Sequence, residues 1–353
     1  MNQDTVTVAQ LAEFDDIVDV RAPAEFALDH VPGAINCPVL DDEERARVGT
    51  LYVQSSPFEA RKVGAALVAR NIARHIEATF AGKPKNWRPL IYCWRGGQRS
   101  AAMSSVMRQI GWDVKRLAGG YKAYRLAVVA GIETVAARLS WRVVCGLTGS
   151  GKTLLLQHLE KHGGQVLDLE QLAAHRGSLL GDLPGRPQPT QKMFESRLWL
   201  KLKGFDPQHP VFVESESRKV GNLRVPEPLI ARMWQSECVW LETASLLRVR
   251  MLLRDYEHFT QEPQALCEKL DCLVALHGHE KIDGWKARIA GKQWPEFVTQ
   301  ILADHYDPAY IKSIARNYPG LDGASYVRLM DGSDIDFERA ARSLLETSLM
   351  ATA

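Results

Sequence analysis

Two short stretches of this 353-residue chain hold residue types that can do covalent and phosphate chemistry. In Tyr92-Cys93-Trp94-Arg95-Gly96-Gly97-Gln98-Arg99-Ser100 a cysteine ends an apolar run and is followed by two glycines and two arginines. Glycines let successive backbone N–H groups turn inward, and a following helix adds its positive end, so such a loop can hold an anion and lower a thiol pKa. A lone cysteine is more often a buried structural residue. Here the glycines, the arginines and the strand-loop-helix setting favour Cys93 as a reactive thiol. Trp94 offers either a core ring or an open face on which a base stacks, and Arg95 is expected to face solvent or an anion.

The second stretch, Gly146-Leu147-Thr148-Gly149-Ser150-Gly151-Lys152-Thr153, matches the phosphate-binding pattern G-x-x-x-x-G-K-[ST] in full. Backbone amides of such a loop surround a diphosphate, Lys152 neutralises its terminal charge, and Thr153 can ligate Mg²⁺ if one binds. A hydrolysing enzyme also needs an acid at the end of a second apolar strand. Glu214 is the leading choice, with Asp168 and Glu170 behind it; each reads equally well as a surface acid. A bound diphosphate ester that is never hydrolysed is equally compatible. No metal ligand set is assigned. His175 and His305 read as cap or core histidines as readily as functional ones.

These loops need strands to carry them. Asp16–Arg21 reads as a short strand, Pro89–Cys93 as a buried one, and the stretch from about Ser100 to Ile110 as the helix after it. Val114–Arg125 reads as strand, tight Gly119-Gly120 turn and helix. Trp141–Cys145, Gln165–Asp168, Val211–Glu214 and Cys238–Leu241 read as strands separated by helices, which predicts a parallel sheet. From Ser245 onward the pattern is mainly helical. The expected division is 1–128, a helical linker over 129–140, and 141–353.

Six cysteines without short paired spacing are expected to stay reduced. The polar start lacks a secretory pattern and no apolar run reaches membrane length, so a soluble, cytoplasmic protein without a membrane partner is expected. A net charge of +2 decides nothing about nucleic acid. Local clusters are more informative: Arg218, Lys219 and Arg224, and Arg248, Arg250 and Arg254, can meet phosphates, although any single one reads equally as a solvated face.

Over about its first 130 residues the chain resembles the rhodanese family. Asp19-Val-Arg21, Glu25 and His30–Ile35 look like that family's first signature and Leu117–Gly120 like its second. The resemblance makes Asp19, Arg21 and Glu25 structural, and makes Cys93 the carrier of a chalcogen atom as a persulfide or its selenium analogue. The C-x5-R spacing from Cys93 to Arg99 is one residue longer than the usual sulfurtransferase loop. It is similar to that of cysteine phosphatases, though these place His where Tyr92 stands.

A CWRGGQRS loop followed in one chain by a P-loop is similar to the tRNA 2-selenouridine synthases, with His175–Ser178, Glu214–Glu216 and His305–Pro308 fitting as well. The resemblance implies α/β architecture: a rhodanese-like domain, then a P-loop NTPase-like parallel-sheet domain with a helical C-terminal part. It further implies exchange of sulfur for selenium in wobble 2-thiouridine of the tRNA anticodon arm. Selenophosphate would be the donor, geranyl diphosphate a cosubstrate that makes an S-geranylated intermediate, and a selenophosphate synthetase a candidate partner. Two rival readings stand beside it, a cysteine phosphatase or sulfurtransferase fused to a nucleotide-binding domain, and a non-catalytic tRNA-binding regulator.

Overall fold

A computed structural model of the chain describes residues 4–350, and their side chains as far as Ser348. It divides into two compact units, one running up to Gly131 together with Thr190–Leu200, the other Ile132–Pro189 together with Lys201 onward. The division falls inside a single helix, Gly120–Ala136.

The first unit is built on β1 (Thr5–Val6), β2 (Asp16–Asp19), β3 (Ile35–Asn36), β4 (Pro89–Tyr92) and β5 (Lys115–Leu117), all parallel in the order β1-β5-β4-β2-β3. Parallel neighbours cannot be joined by hairpins, so helices such as Pro57–His75 and Gln98–Ile110 make the crossovers. Every residue of the central strand β4 is buried. The helix Gln98–Ile110 buries Ser100, Met103, Ser104 and Met107, spaced as one helical face, and stops at Gly111 with φ +111°. Thr190–Leu200 joins this unit through long-range packing. Trp199 meets Tyr124 at 5.8 Å between ring centroids, and a Cβ on Gly131 would lie 2.1 Å from its indole nitrogen. Arg125 pairs with Glu195.

The second unit contains β6 (Trp141–Cys145), β7 (Gln165–Leu167), β8 (Val211–Glu214), the hairpin strands β9 (Lys219–Val220) and β10 (Leu223–Arg224), β11 (Glu237–Glu242) and β12 (Ser325–Arg328). Its main sheet is parallel in the order β12-β11-β6-β8-β7. From β6 the chain goes out to β7, returns to β8, then crosses to β11 on the other side. The order therefore reverses at β6, and the crevice beyond its carboxyl end is where open α/β sheets bind ligands. The C-terminal part is mainly helical, as expected, and adds one strand: β12 returns to the sheet edge, mostly exposed, with Val239 opposite Ser325. Between β11 and β12, helices from Ser245 to Asn317 build a separate core around Phe259, Leu266, Trp285 and Phe297. Among the described residues no helix is long and apolar enough to cross a membrane.

Candidate active sites: a cysteine loop and a P-loop cleft

Cys93 follows the last residue of β4 and is 3% exposed, its Sγ 3.2 Å from Ser100 Oγ. Ser100 in turn donates to Gly97 O at 3.2 Å. The loop lies on the Gly119-Gly120 turn: Tyr121 N donates to Cys93 O at 2.8 Å and Lys122 N to Trp94 O at 3.0 Å. Gly120, at φ +59°, lies so close that a Cβ would stand 2.3 Å from Cys93 O and 2.5 Å from Gly96 N. The second rhodanese-like signature is thus the floor of the cysteine loop. The first is its brace: the Asp19 carboxylate accepts from Arg21, whose guanidinium also donates to Asp29 O and lies 4.0 Å over the Tyr121 ring. Tyr121 donates to Asp29.

The loop's exposed face carries Trp94, Arg95, Gly97 and Gln98, with Gly96 half-buried. Trp94 is 38% exposed and leans on Tyr121, so it belongs to the surface rather than the core. Arg99 departs from its expected place among the anion-holding groups. Its guanidinium pairs with Glu25 at 2.6 Å, and that pairing holds the Glu25 carboxyl below its usual range against the opposing effect of burial. A phosphatase needs this guanidinium on its substrate, whereas here Glu25 occupies it.

In the second unit, Lys152 Nζ donates to Gly146 O at 2.7 Å, and burial lowers its pKa. Thr153 donates to Glu170 at 3.2 Å, and Glu170 N donates to Glu214 Oε1 at 2.9 Å. The other Glu214 oxygen is buried without a hydrogen-bond partner. Burial pushes Glu170 up to about 7 and Glu216 up to about 8, and Glu214 well above the usual carboxylate range. These three carboxylates line, with the loop from Thr148 to Thr153, a cleft of about 500 Å³. Ser150 Oγ is buried and unpartnered, and Ser150 O accepts from Thr243. Gly146 N donates to Tyr310 OH at 3.0 Å. Cys145, next to the loop, is fully buried and its thiol pKa is pushed far up, so the cleft has a lysine but no reactive thiol.

The description tRNA 2-selenouridine synthase AAA domain matches residues 139–274, and the Rhodanese-like domain description matches residues 5–127. A protein of Bdellovibrio bacteriovorus named tRNA 2-selenouridine synthase is 36% identical over 343 residues, covering 86% of this chain and 89% of that one. This chain belongs to the tRNA 2-selenouridine synthase family. A relative of the same name from Cupriavidus pinatubonensis is 34% identical over 328 residues, 83% of this chain and 87% of its own. With that of Nitrosomonas europaea the identity is 37% over 244 residues, a match that spans 68% of this chain and 63% of the relative.

In this synthase-family chain several residues read from the sequence take other places. Asp168 is not in the cleft: it caps the helix Leu169–Ala173 by accepting from Gln171 N at 2.7 Å. Glu216 takes its place beside Glu170 and Glu214, and as a polar residue in a turn it gave no periodic signal. Arg248 is withdrawn from the basic surface. It is 4% exposed, pairs with Asp307 at 2.6 Å and donates to Thr148 O at 2.9 Å, which makes it a support of the P-loop. Arg250 and Arg254 are exposed and line a recess with Gly332 and Ser333. Arg218, Lys219 and Arg224 come together at the β9-β10 hairpin, where Lys219 faces Arg224 and Arg218 lies 4.9 Å over the Trp234 ring. His175 is buried, accepts from Gly177 N and pairs with Asp182, while His305 shares a 3.1 Å hydrogen bond with His277. Both are held by their own loops and helices. Among the described residues no group of three or more His, Cys, Asp or Glu is arranged to hold a metal ion.

Proposed function

We propose that this protein replaces sulfur by selenium in the wobble 2-thiouridine of tRNA in two steps, with the P-loop serving the first and the Cys93 loop the second. The observation that carries this reading is that the chain builds two glycine-bearing loops of opposite equipment. One places the Cys93 thiol at the end of a buried strand; the other has a lysine and no reactive thiol.

In the first step the thiocarbonyl sulfur attacks C1 of geranyl diphosphate, the C–O bond breaks with its electron pair leaving on diphosphate, and the uridine N3 proton is lost. Lys152 and the loop amides stabilise the departing charge. If Mg²⁺ binds with the diphosphate, Thr153 Oγ1, Glu170 and the unpartnered Glu214 oxygen are the hard donors that would hold it, and it would offset diphosphate charge. In the second step the selenium of selenophosphate, held on the amides of the Cys93 loop, attacks C2 of the ring. The C2–S bond breaks, geranyl thiol leaves with a proton, and water takes the phosphoryl group from selenium as inorganic phosphate, with Cys93 assisting. A thioether departs far more readily than the original thiocarbonyl sulfur. The selenium donor would come from a selenophosphate synthetase.

Nucleoside mass spectrometry on single turnovers tests the division of labour. Cys93→Ser keeps the packing but has almost no anion at neutral pH, so geranylated tRNA should accumulate without selenation. Lys152→Ala should block geranylation, and tRNA already geranylated should rescue it but not Cys93→Ser. Loss of geranylation in folded Cys93→Ser, or full selenation by it, overturns the two-site assignment.

A further inference from the structure

The P-loop cleft does not end at its phosphate cradle. Thr148, Ser178, Leu252, Tyr256 and Tyr306 line the cleft and also line a second cavity that runs into the helical core. The walls of this chamber away from the cleft include Phe259, Leu266, Trp294, Phe297, Val298 and Ile301, and no charged side chain lines any of it. Leu252, Trp294 and Val298 are only half-buried, so apolar surface faces the void. The chamber is narrow, about 70 Å³ against about 500 Å³ for the cleft. It exceeds the roughly 10–15 Å³ one water needs but is smaller than the roughly 150 Å³ that takes up a benzene, so a prenyl chain enters it end-first with the remainder across the shared mouth. A cavity with such a lining gains little from water and gains from any hydrocarbon that displaces it.

Charge and apolarity are therefore segregated across a shared mouth. On one side stand Lys152, Arg176 and three glutamates; on the other stand leucine, valine, isoleucine, phenylalanine and tryptophan. A ligand that satisfies both has a phosphate head joined directly to an apolar tail. A nucleotide lacks such a tail, and its ribose and base would leave polar groups unpaired in the chamber.

We propose that this chamber is the binding site for the isoprenoid chain of a prenyl diphosphate whose head lies in the P-loop, and that Phe297 and Val298 set the chain length it accepts. The proposal rests on the reading that the P-loop takes geranyl diphosphate, and assigns to the helical part the selection of that cosubstrate. Both residues lie on the helix Trp294–Ile301 and neither lines the phosphate cleft. Phe297 is buried in the helical core, and Val298 is half-buried against it. Their size can therefore change the chamber without touching the phosphate cradle.

The test is calorimetric titration of the full-length protein with inorganic diphosphate and with dimethylallyl, geranyl and farnesyl diphosphates, each variant checked by thermal unfolding. In the wild type, geranyl diphosphate should bind roughly 30-fold or more tightly than inorganic diphosphate, because its chain leaves water. Val298→Trp fills the chamber and should remove most of that gain while dimethylallyl diphosphate, with half the chain, loses less. Phe297→Ala enlarges it and should shift preference from geranyl towards farnesyl by about fivefold or more. Equal affinity for geranyl and inorganic diphosphate in the wild type, or unchanged chain preference in both folded variants, overturns the chamber assignment. If geranylation of thiolated tRNA then still depends on Lys152, the two-site reading survives that loss. If Lys152→Ala geranylates normally, it is the two-site reading that fails, whatever the chain preference.

Discussion

The cysteine loop and the P-loop share a local plan, a buried parallel strand that ends in a glycine-bearing turn and passes into a helix, but they handle charge in opposite ways. Around Cys93 the geometry is fixed by backbone: Gly120 packs against the loop, Tyr121 N and Lys122 N hold its carbonyls, and the nearby Arg99 is drawn off to Glu25. Around Lys152 ionisable side chains crowd the cleft: Glu170, Glu214, Glu216 and Asp255 share it with Lys152 and Arg176. Backbone contacts of this kind do not titrate, and at Gly120 they leave no room for an added atom. A cluster of buried ionisable side chains responds to protons.

The sharpest way to break that contrast is an added methyl group. In Gly120→Ala the new Cβ meets Cys93 O at 2.3 Å and Gly96 N at 2.5 Å, and φ is +59°. Both neighbours are backbone and cannot swing away, so the loop must move. A displacement of that order costs about 100-fold or more in a chemical step, and selenation of geranylated tRNA should fall accordingly. Inorganic diphosphate should still bind the P-loop within about twofold, since that cradle is built elsewhere in the fold. Gly97→Ala is the control: nothing lies within 4 Å of its Cβ and its φ is −89°. Equal damage from both substitutions would mean that the tight approach of Gly120 is not what holds the cysteine loop.

The same contrast explains what could be read from the sequence. Both loops were legible because their chemistry is contiguous: one run of eight or nine residues carries strand end, glycines and reactive group. The parallel sheet of the second unit followed from the spacing of strands such as Trp141–Cys145, and the α/β alternation of the first from strands such as Pro89–Tyr92. Long-range partners were not legible. Arg248 looked like its neighbours Arg250 and Arg254, and only its place on the face that carries Leu247 and Met251 hints that it turns inward to Asp307. Strand β12 is short and mostly exposed, with no apolar run to mark it. The union of Thr190–Leu200 with the first unit depends on Trp199 meeting Gly131 and Tyr124, which no local pattern encodes.

A smaller effect sharpens the charge side of the comparison. Burial raises Glu170 to about 7 and Glu216 to about 8, whereas an unfolded glutamate titrates near roughly 4.3. Between those values the folded protein binds protons that the unfolded chain has lost, so stability falls as pH rises across that window. Glu216→Gln removes one such group. Its melting temperature should fall less than that of the wild type between pH 6 and pH 8.5, and at pH 8.5 it should lie above the wild type by about 2–4 °C. Thermal unfolding monitored by circular dichroism measures it. Parallel melting curves for the two proteins across this range would show that the cleft does not store protons.

The smallest effect concerns charges that lie outside both cradles. Arg218 precedes and Arg224 lies on the exposed β9-β10 hairpin, where Arg224 faces Lys219 and Arg218 pairs with Glu227 at 3.2 Å and lies over Trp234. Surface pairing of this kind is weak, so an approaching RNA phosphate can compete for the guanidinium at small cost. Each phosphate neutralised releases counterions, which makes binding fall as salt rises. Replacing both arginines by alanine should therefore reduce the slope of log affinity against log salt by roughly 1 to 2, with an affinity loss of about fivefold at low salt that fades as salt rises. The fold should survive, because both side chains are exposed and the hairpin keeps its backbone pairing. Filter binding of thiolated tRNA over a salt series reads both quantities. An unchanged slope would move the tRNA surface away from the hairpin, and the recess of Arg250 and Arg254 would then be the basic patch to alter next.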